Sequence, residues 1–137
     1  MVLLREHQKS LHGHTSTVRS LVVFNDKKRL ISGSRDGTIR SWDVAEGVCT
    51  ALLTTHTKTV RTIVLSSDES LFLSGSYDGT ASICRVTDRG LVLLHTLRGH
   101  DGGLYQVAFV GVRDGQVLTA SLDTSIRMWD VKDVELL

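Results

Sequence analysis

The chain has 137 residues, within the size of one domain and long enough to bury a core. Sixteen Lys and Arg against fifteen Asp and Glu leave a formal net charge of +1, so bulk charge points to neither nucleic acid nor a membrane surface. Hydrophobic residues at 41% with 23% charged is an ordinary soluble balance, and no apolar run approaches the roughly 18 residues of a membrane helix.

In chain order, Met-Val-Leu-Leu-Arg-Glu opens with an apolar run too short for a signal peptide. Residues 8–12 read as a strand-like segment running into Gly13-His14. Residues 17–24 set Val18, Ser20, Val22 and Phe24 against Arg19, Leu21 and Val23, a strand apolar enough on both faces to be buried. A polar turn at 25–28 leads to strands 30–34 and 38–44, joined by Asp36-Gly37, where glycine accepts a positive φ without steric cost. After a turn at 45–47, residues 48–54 make a fourth strand. The cycle restarts at His56, with strands 60–66, 71–76, 80–86 and 91–97 and turns at Asp68-Glu69 and 87–90. A third cycle opens at Gly99-His100, with strands 104–112, 117–122, 125–131 and 134–137. The chain contains no proline.

The central hairpin is written three times, from Ser32, from Ser74 and from Thr119. His14, His56 and His100 recur at intervals of 42 and 44 residues. Four short strands per unit of about 40–45 residues, with Gly-His and Trp-Asp signatures, mark a propeller blade. No segment holds a helical period beyond a turn or two. Through Gly13-His14 with Trp42-Asp43, and Gly99-His100 with Trp129-Asp130, the chain resembles the WD-repeat β-propeller family. The resemblance implies an all-β fold of three four-stranded antiparallel blades, near 13–54, 55–97 and 98–137, with residues 1–12 as the outer strand of a preceding blade. Closed propellers have about four to eight blades, so three make an incomplete ring, a piece of a larger propeller with open edges that invite association.

Each repeat carries a tetrad at matched spacing: His14, Ser32, Asp36, Trp42; His56, Ser74, Asp78, Cys84; His100, Thr119, Asp123, Trp129. Their donors and acceptors can close into a chain, indole to hydroxyl, hydroxyl to imidazole, imidazole to carboxylate. The resemblance implies that this chain ties the loop entering a blade to its central hairpin. Serine, histidine and aspartate are also the parts of a hydrolase, but three equally spaced copies suit a structural repeat, and the indole would occupy the attacking hydroxyl. The second repeat departs from the pattern: Thr55 replaces the glycine, Cys84 the tryptophan and Arg85 the aspartate. That predicts a volume deficit beside Cys84, a Ser74 short of one partner, and a blade that Cys84→Trp leaves unharmed or stabilises. Cys49 and Cys84 match no zinc or thioredoxin spacing and read as reduced thiols of an intracellular protein. His12 with His14, and His95 with His100, lack the further ligands of a metal site, and no glycine loop precedes a helix to hold phosphate. No catalytic, cofactor or metal residue is assigned.

The resemblance also implies partner contacts three and five residues after each His and one before each turn Asp. Those positions hold Thr17, Arg19 and Arg35; Thr59, Arg61 and Tyr77; Gly103, Tyr105 and Leu122. Arginine and tyrosine are the residue types of binding hot spots, and a guanidinium cluster suits an acidic or phosphorylated peptide. A competing reading points Arg19 and Arg61 into solvent or the central channel. The function implied is a non-enzymatic protein-interaction scaffold, cytoplasmic or nuclear. The alternatives are a self-assembling structural propeller module and a propeller hydrolase.

Overall fold

A two-residue hydrophobic period interrupted every few residues by a turn leaves the chain little choice but antiparallel sheet. The computed structural model describes residues 8–111 and 115–131, and no helix occurs among them. In blade one, β1 (Val18–Val23), β2 (Arg29–Ser34), β3 (Ile39–Asp43) and β4 (Val48–Leu53) lie side by side in chain order. Blade two repeats the meander with β5 (Val60–Leu65), β6 (Leu71–Ser76), β7 (Ala81–Thr87) and β8 (Gly90–Leu97). Blade three is formed by β9 (Leu104–Val110), β10 (Gln116–Ser121) and β11 (Ile126–Asp130). The strand expected at 134–137 lies outside the described residues, as do residues 1–7 of the expected outer strand. Residues 8–12 form no strand, contrary to expectation. A strand needs a hydrogen-bonded neighbour, and this segment has none among the described residues. Its Lys9 ammonium donates instead to the Ala45 carbonyl at the β3–β4 turn.

The central hairpins turn as the sequence predicts, with Gly37 at φ 85° and Gly79 at φ 87°. Both glycines are needed twice over. A Cβ on Gly37 would stand 3.1 Å from the His56 carbonyl oxygen, and one on Gly79 3.2 Å from that of His100. The turns of blades one and two thus each rest on the histidine segment of the following blade.

Two apolar seams join the blades. Phe24, Ile31, Ile39, Val60, Ile63, Phe72 and Cys84 fill the first, and Leu73, Ala81, Ile83, Leu104, Val107 and Val117 the second. Gly33 and Gly75 let the sheets approach: a Cβ at either would fall 2.6 or 2.8 Å from a methyl of Val60 or Val107. Across the first seam the Ile63 amide donates to the Ser20 hydroxyl at 3.0 Å. Among the described residues, the two outer faces have no such cover. Leu21 is 57% exposed on blade one, and Ile126 is 72% exposed on blade three. The strand read as buried on both faces is therefore covered only on its Ser20 and Val22 side, because no described blade packs against the other.

Candidate functional site

The tetrads close as their inventory predicts. In blade one the Trp42 indole donates to Ser32 Oγ at 2.8 Å, Ser32 Oγ lies 2.7 Å from His14 Nε2, and His14 Nδ1 lies 3.0 Å from Asp36 Oδ2. Blade three repeats this with Trp129, Thr119, His100 and Asp123 at 2.9, 2.6 and 2.7 Å. Each carboxylate also gathers donors from its own turn and from the loop after the histidine. Asp36 accepts from the Thr38 hydroxyl and amide and from the Thr15 amide. Burial alone would raise the Asp36 carboxyl, but these bonds and the imidazole outweigh it and hold its pKa well below the usual range. Asp78 is depressed in the same way against its burial, by His56, Thr80 and Thr57, and Asp123 by Ser125 first and then by His100 and the Ser125 and Asp101 amides.

These distances match those of a hydrolytic triad, so geometry alone does not separate the two roles. All three hydroxyl-bearing residues are buried, Ser32, Ser74 and Thr119 being 4%, 0% and 1% exposed.

Blade two keeps the His56–Asp78 and His56–Ser74 bonds at 3.0 and 2.8 Å without an indole. Cys84 is fully buried in the first seam, and burial pushes its thiol pKa up to about 12. Two further substitutions accompany it. A Cβ on Gly13 would stand 3.1 Å from both the Trp42 ring and the Arg40 guanidinium, and Gly99 faces Trp129 and Arg127 likewise. In blade two Thr55 stands at the glycine position and Ser82 at the arginine position. The Thr55 hydroxyl is shut off from solvent with no partner among the described residues, and Ser82 Oγ reaches to 3.4 Å from His56 Nε2. Thr55, Ser82 and Cys84 thus replace glycine, arginine and tryptophan as a unit. Thr55 is larger than the glycine that the indole lies against in the other two blades.

On the loop face, the Arg35 amide donates to the Thr17 carbonyl at 2.8 Å, Tyr77 to Thr59 at 3.0 Å, and Leu122 to Gly103 at 2.9 Å. Loop and hairpin are therefore locked together in every blade. Arg19, Arg61 and Tyr105 each fall where the innermost strand shifts register, between Val18 and Ser20, between Val60 and Thr62, and opposite Ala120 and Ser121. Each is the extra residue of a β-bulge, a device that re-aims a side chain out of the sheet. Sequence spacing does not reveal these bulges. Between blades two and three, the Arg61 guanidinium stands 5.5 Å from the Tyr105 ring centroid, and the Tyr77 and Tyr105 centroids are 5.5 Å apart. Arg19 and Arg35 make no side-chain hydrogen bond or ion pair among the described residues, and the structure brings Arg61, Tyr77 and Tyr105 together. At the other end of the strands, a groove of about 470 Å³ between blades one and two mixes Asp26, Asp43 and Asp88 with Lys28, Arg29 and Arg89 and has no net sign.

The WD domain, G-beta repeat family matches three segments, residues 5–43, 47–84 and 91–130. Regulator of rDNA transcription protein 13 of Saccharomyces cerevisiae is 31% identical over 124 residues, 88% of this chain and 50% of that protein. Cell division control protein 4 of the same yeast is 29% identical over 127 residues, covering 90% of this chain and 12% of its own length. Small ribosomal subunit protein RACK1 of Dictyostelium discoideum is 43% identical over 42 residues, 31% of this chain and 13% of that protein. The chain thus spans half or less of these curated relatives. WD-repeat proteins generally act as protein-interaction scaffolds. By its three matched repeats, the chain belongs to the WD domain, G-beta repeat family.

Proposed function

We propose that this chain is a non-enzymatic interaction scaffold, cytoplasmic or nuclear, whose loop face binds an acidic or phosphorylated peptide of a protein partner. The observation that carries this reading is the register shift in each innermost strand, which falls on Arg19, Arg61 and Tyr105 at equivalent places. Loop and hairpin are bonded to one another there, so little conformational entropy is lost when a partner docks. Arginine offers a planar fork that carboxylate and phosphate accept in pairs, and tyrosine adds apolar area with few rotors. The relatives are named for rDNA transcription, cell division control and the small ribosomal subunit, which supports a nuclear or cytoplasmic setting.

Arg19→Glu combined with Arg61→Glu tests the reading. With short synthetic peptides rich in Asp, Glu or phosphoserine as probes, affinity should fall at least tenfold, about 1.4 kcal/mol. Salt should weaken binding to the unaltered chain, since exposed pairs are screened. Lys28→Glu, in the turn at the opposite end, should change nothing. Unaltered affinity in the double variant, with no salt dependence, would send the search to the blade edges.

A further inference from the structure

At three equivalent positions the loop face changes character from blade to blade. Blade one presents Thr17, Arg19 and Arg35, all exposed, with two guanidinium groups and no aromatic ring. Blade three presents Gly103, Tyr105 and Leu122, with no charge, and Tyr105 and Leu122 are 47% and 58% exposed. Blade two carries one of each kind, Arg61 and Tyr77. A symmetric repeat would give every blade the same set; this one sorts charge to one end and apolar surface to the other.

We infer that the loop face takes an extended peptide in one orientation, with acidic side chains over blade one and an apolar or aromatic side chain against Tyr105 and Leu122 of blade three. The inference rests on the reading of the loop face as the binding surface and adds to it the polarity of the ligand. Arg19 and Arg35 have no side-chain partner among the described residues, so both forks are open to carboxylate or phosphate. Arg61 is different. Its guanidinium lies over the Tyr105 ring and its Nε is buried with no partner among the described residues, which places it at the junction of the charged and apolar halves. Gly103 sets the floor of the apolar half. A Cβ there would stand 2.9 Å from Tyr77 Cα, so glycine lets the Tyr77 hairpin close down beside the tyrosine pair. A basic peptide is repelled at blade one, and a wholly acidic one leaves the exposed apolar surface of blade three uncovered.

The test uses the full chain and two synthetic peptides, each joining an acidic block to a block of Phe and Leu, in opposite chain orders. A benzophenone is placed at the acidic or the apolar end, and photo-adducts are mapped by mass spectrometry. The acidic end should label blade one and the apolar end blade three, in whichever order binds more tightly. Tyr105→Ser with Leu122→Ser should lower affinity about tenfold at low and high salt alike, whereas Arg35→Glu should act mainly at low salt. Binding with either end labelling both blades, or with the acidic end on blade three, overturns the polarity and leaves the loop face as the site. Failure of both peptides to bind overturns polarity and binding face together.

Discussion

Giving blade two the indole that its neighbours have should destabilise it, and the size of the effect follows from what stands opposite. On Gly13 a bare Cβ would already lie 3.1 Å from the Trp42 ring. Thr55 brings a Cβ, a methyl and a hydroxyl to that position in blade two, so the indole of Cys84→Trp runs into side-chain atoms. Overpacking of this kind costs about 1–3 kcal/mol. The regained bond from indole to Ser74 returns about 0.5–1.5 kcal/mol. The single variant should therefore lose about 1 kcal/mol. Thr55→Gly in the same chain removes both the obstruction and a buried hydroxyl without a partner, a group that costs about 1–3 kcal/mol to leave unsatisfied. The two changes should then couple favourably by about 1–2 kcal/mol, well beyond the ~0.5 kcal/mol scatter of independent sites. Urea unfolding of the parent, both single variants and the double measures this coupling directly. Additive effects would refute the account of Thr55 as the residue that fills the indole's place, and a stabilised Cys84→Trp would show the site to be a vacancy after all.

Three further outcomes follow from the same geometry. Trp42→Cys should cost about 3–4 kcal/mol in urea unfolding, since the ring is 3% exposed and holds Ser32, and Trp129→Cys should cost less because that ring is only half-buried; a harmless Trp42→Cys would show that the network does not support the blade. Because the fold depresses the carboxyls of Asp36, Asp78 and Asp123 below their ordinary pKa of about 3.9, their stabilisation is fully present above that value and is lost as pH falls through the folded-state values. The urea midpoint should be flat near neutrality and drop below about pH 4, with a shallower drop in Asp78→Asn. Thr124 holds φ 75° with a branched side chain, so Thr124→Gly should relieve about 1–2 kcal/mol of left-handed strain against a glycine entropy cost of about 0.5–1; a lower melting temperature in that variant would show that Thr124 is not strained.

The fold and the tetrads are legible in the sequence because each depends on residue type at a fixed spacing. Four donors and acceptors in complementary order, written three times, allow few other structures. The bulges at Arg19, Arg61 and Tyr105 leave no such mark, since a bulge is a property of register between two strands and any residue can occupy it. The contact of Arg61 with Tyr105 crosses from one blade to the next, where spacing within a repeat carries no information. Blade two is harder to read for a similar reason. Cys84 looks like a loss when read alone, but Thr55 and Ser82 also depart from the residues that surround the indole in the other two blades. Its missing aspartate is covered nearby: Asp43 accepts the Glu46 amide at the β3–β4 turn, whereas in blade two Thr87 Oγ1 accepts the Arg89 amide and donates to the Gly90 carbonyl.

Glycine placement sets blade three apart from its neighbours. Gly33 and Gly75 sit where a methyl of the following blade would crowd any Cβ, and Gly37 and Gly79 where its histidine carbonyl would do so. The equivalent residues in blade three are Ala120 and Thr124. Both carry a Cβ, and Thr124 carries it at a backbone angle that glycine would hold without strain. The requirement for glycine at these two places comes from the neighbour as much as from the turn, since a left-handed residue can be tolerated where nothing presses on it. Along the face that holds Ala120, Ile126 and Met128 are 72% and 63% exposed. A sheet seated there as blade two sits on blade one would drive a methyl into Ala120 and a carbonyl against Thr124. A sheet packed on this face would have to stand further off, or present a smaller surface, than the sheets of the first two seams do.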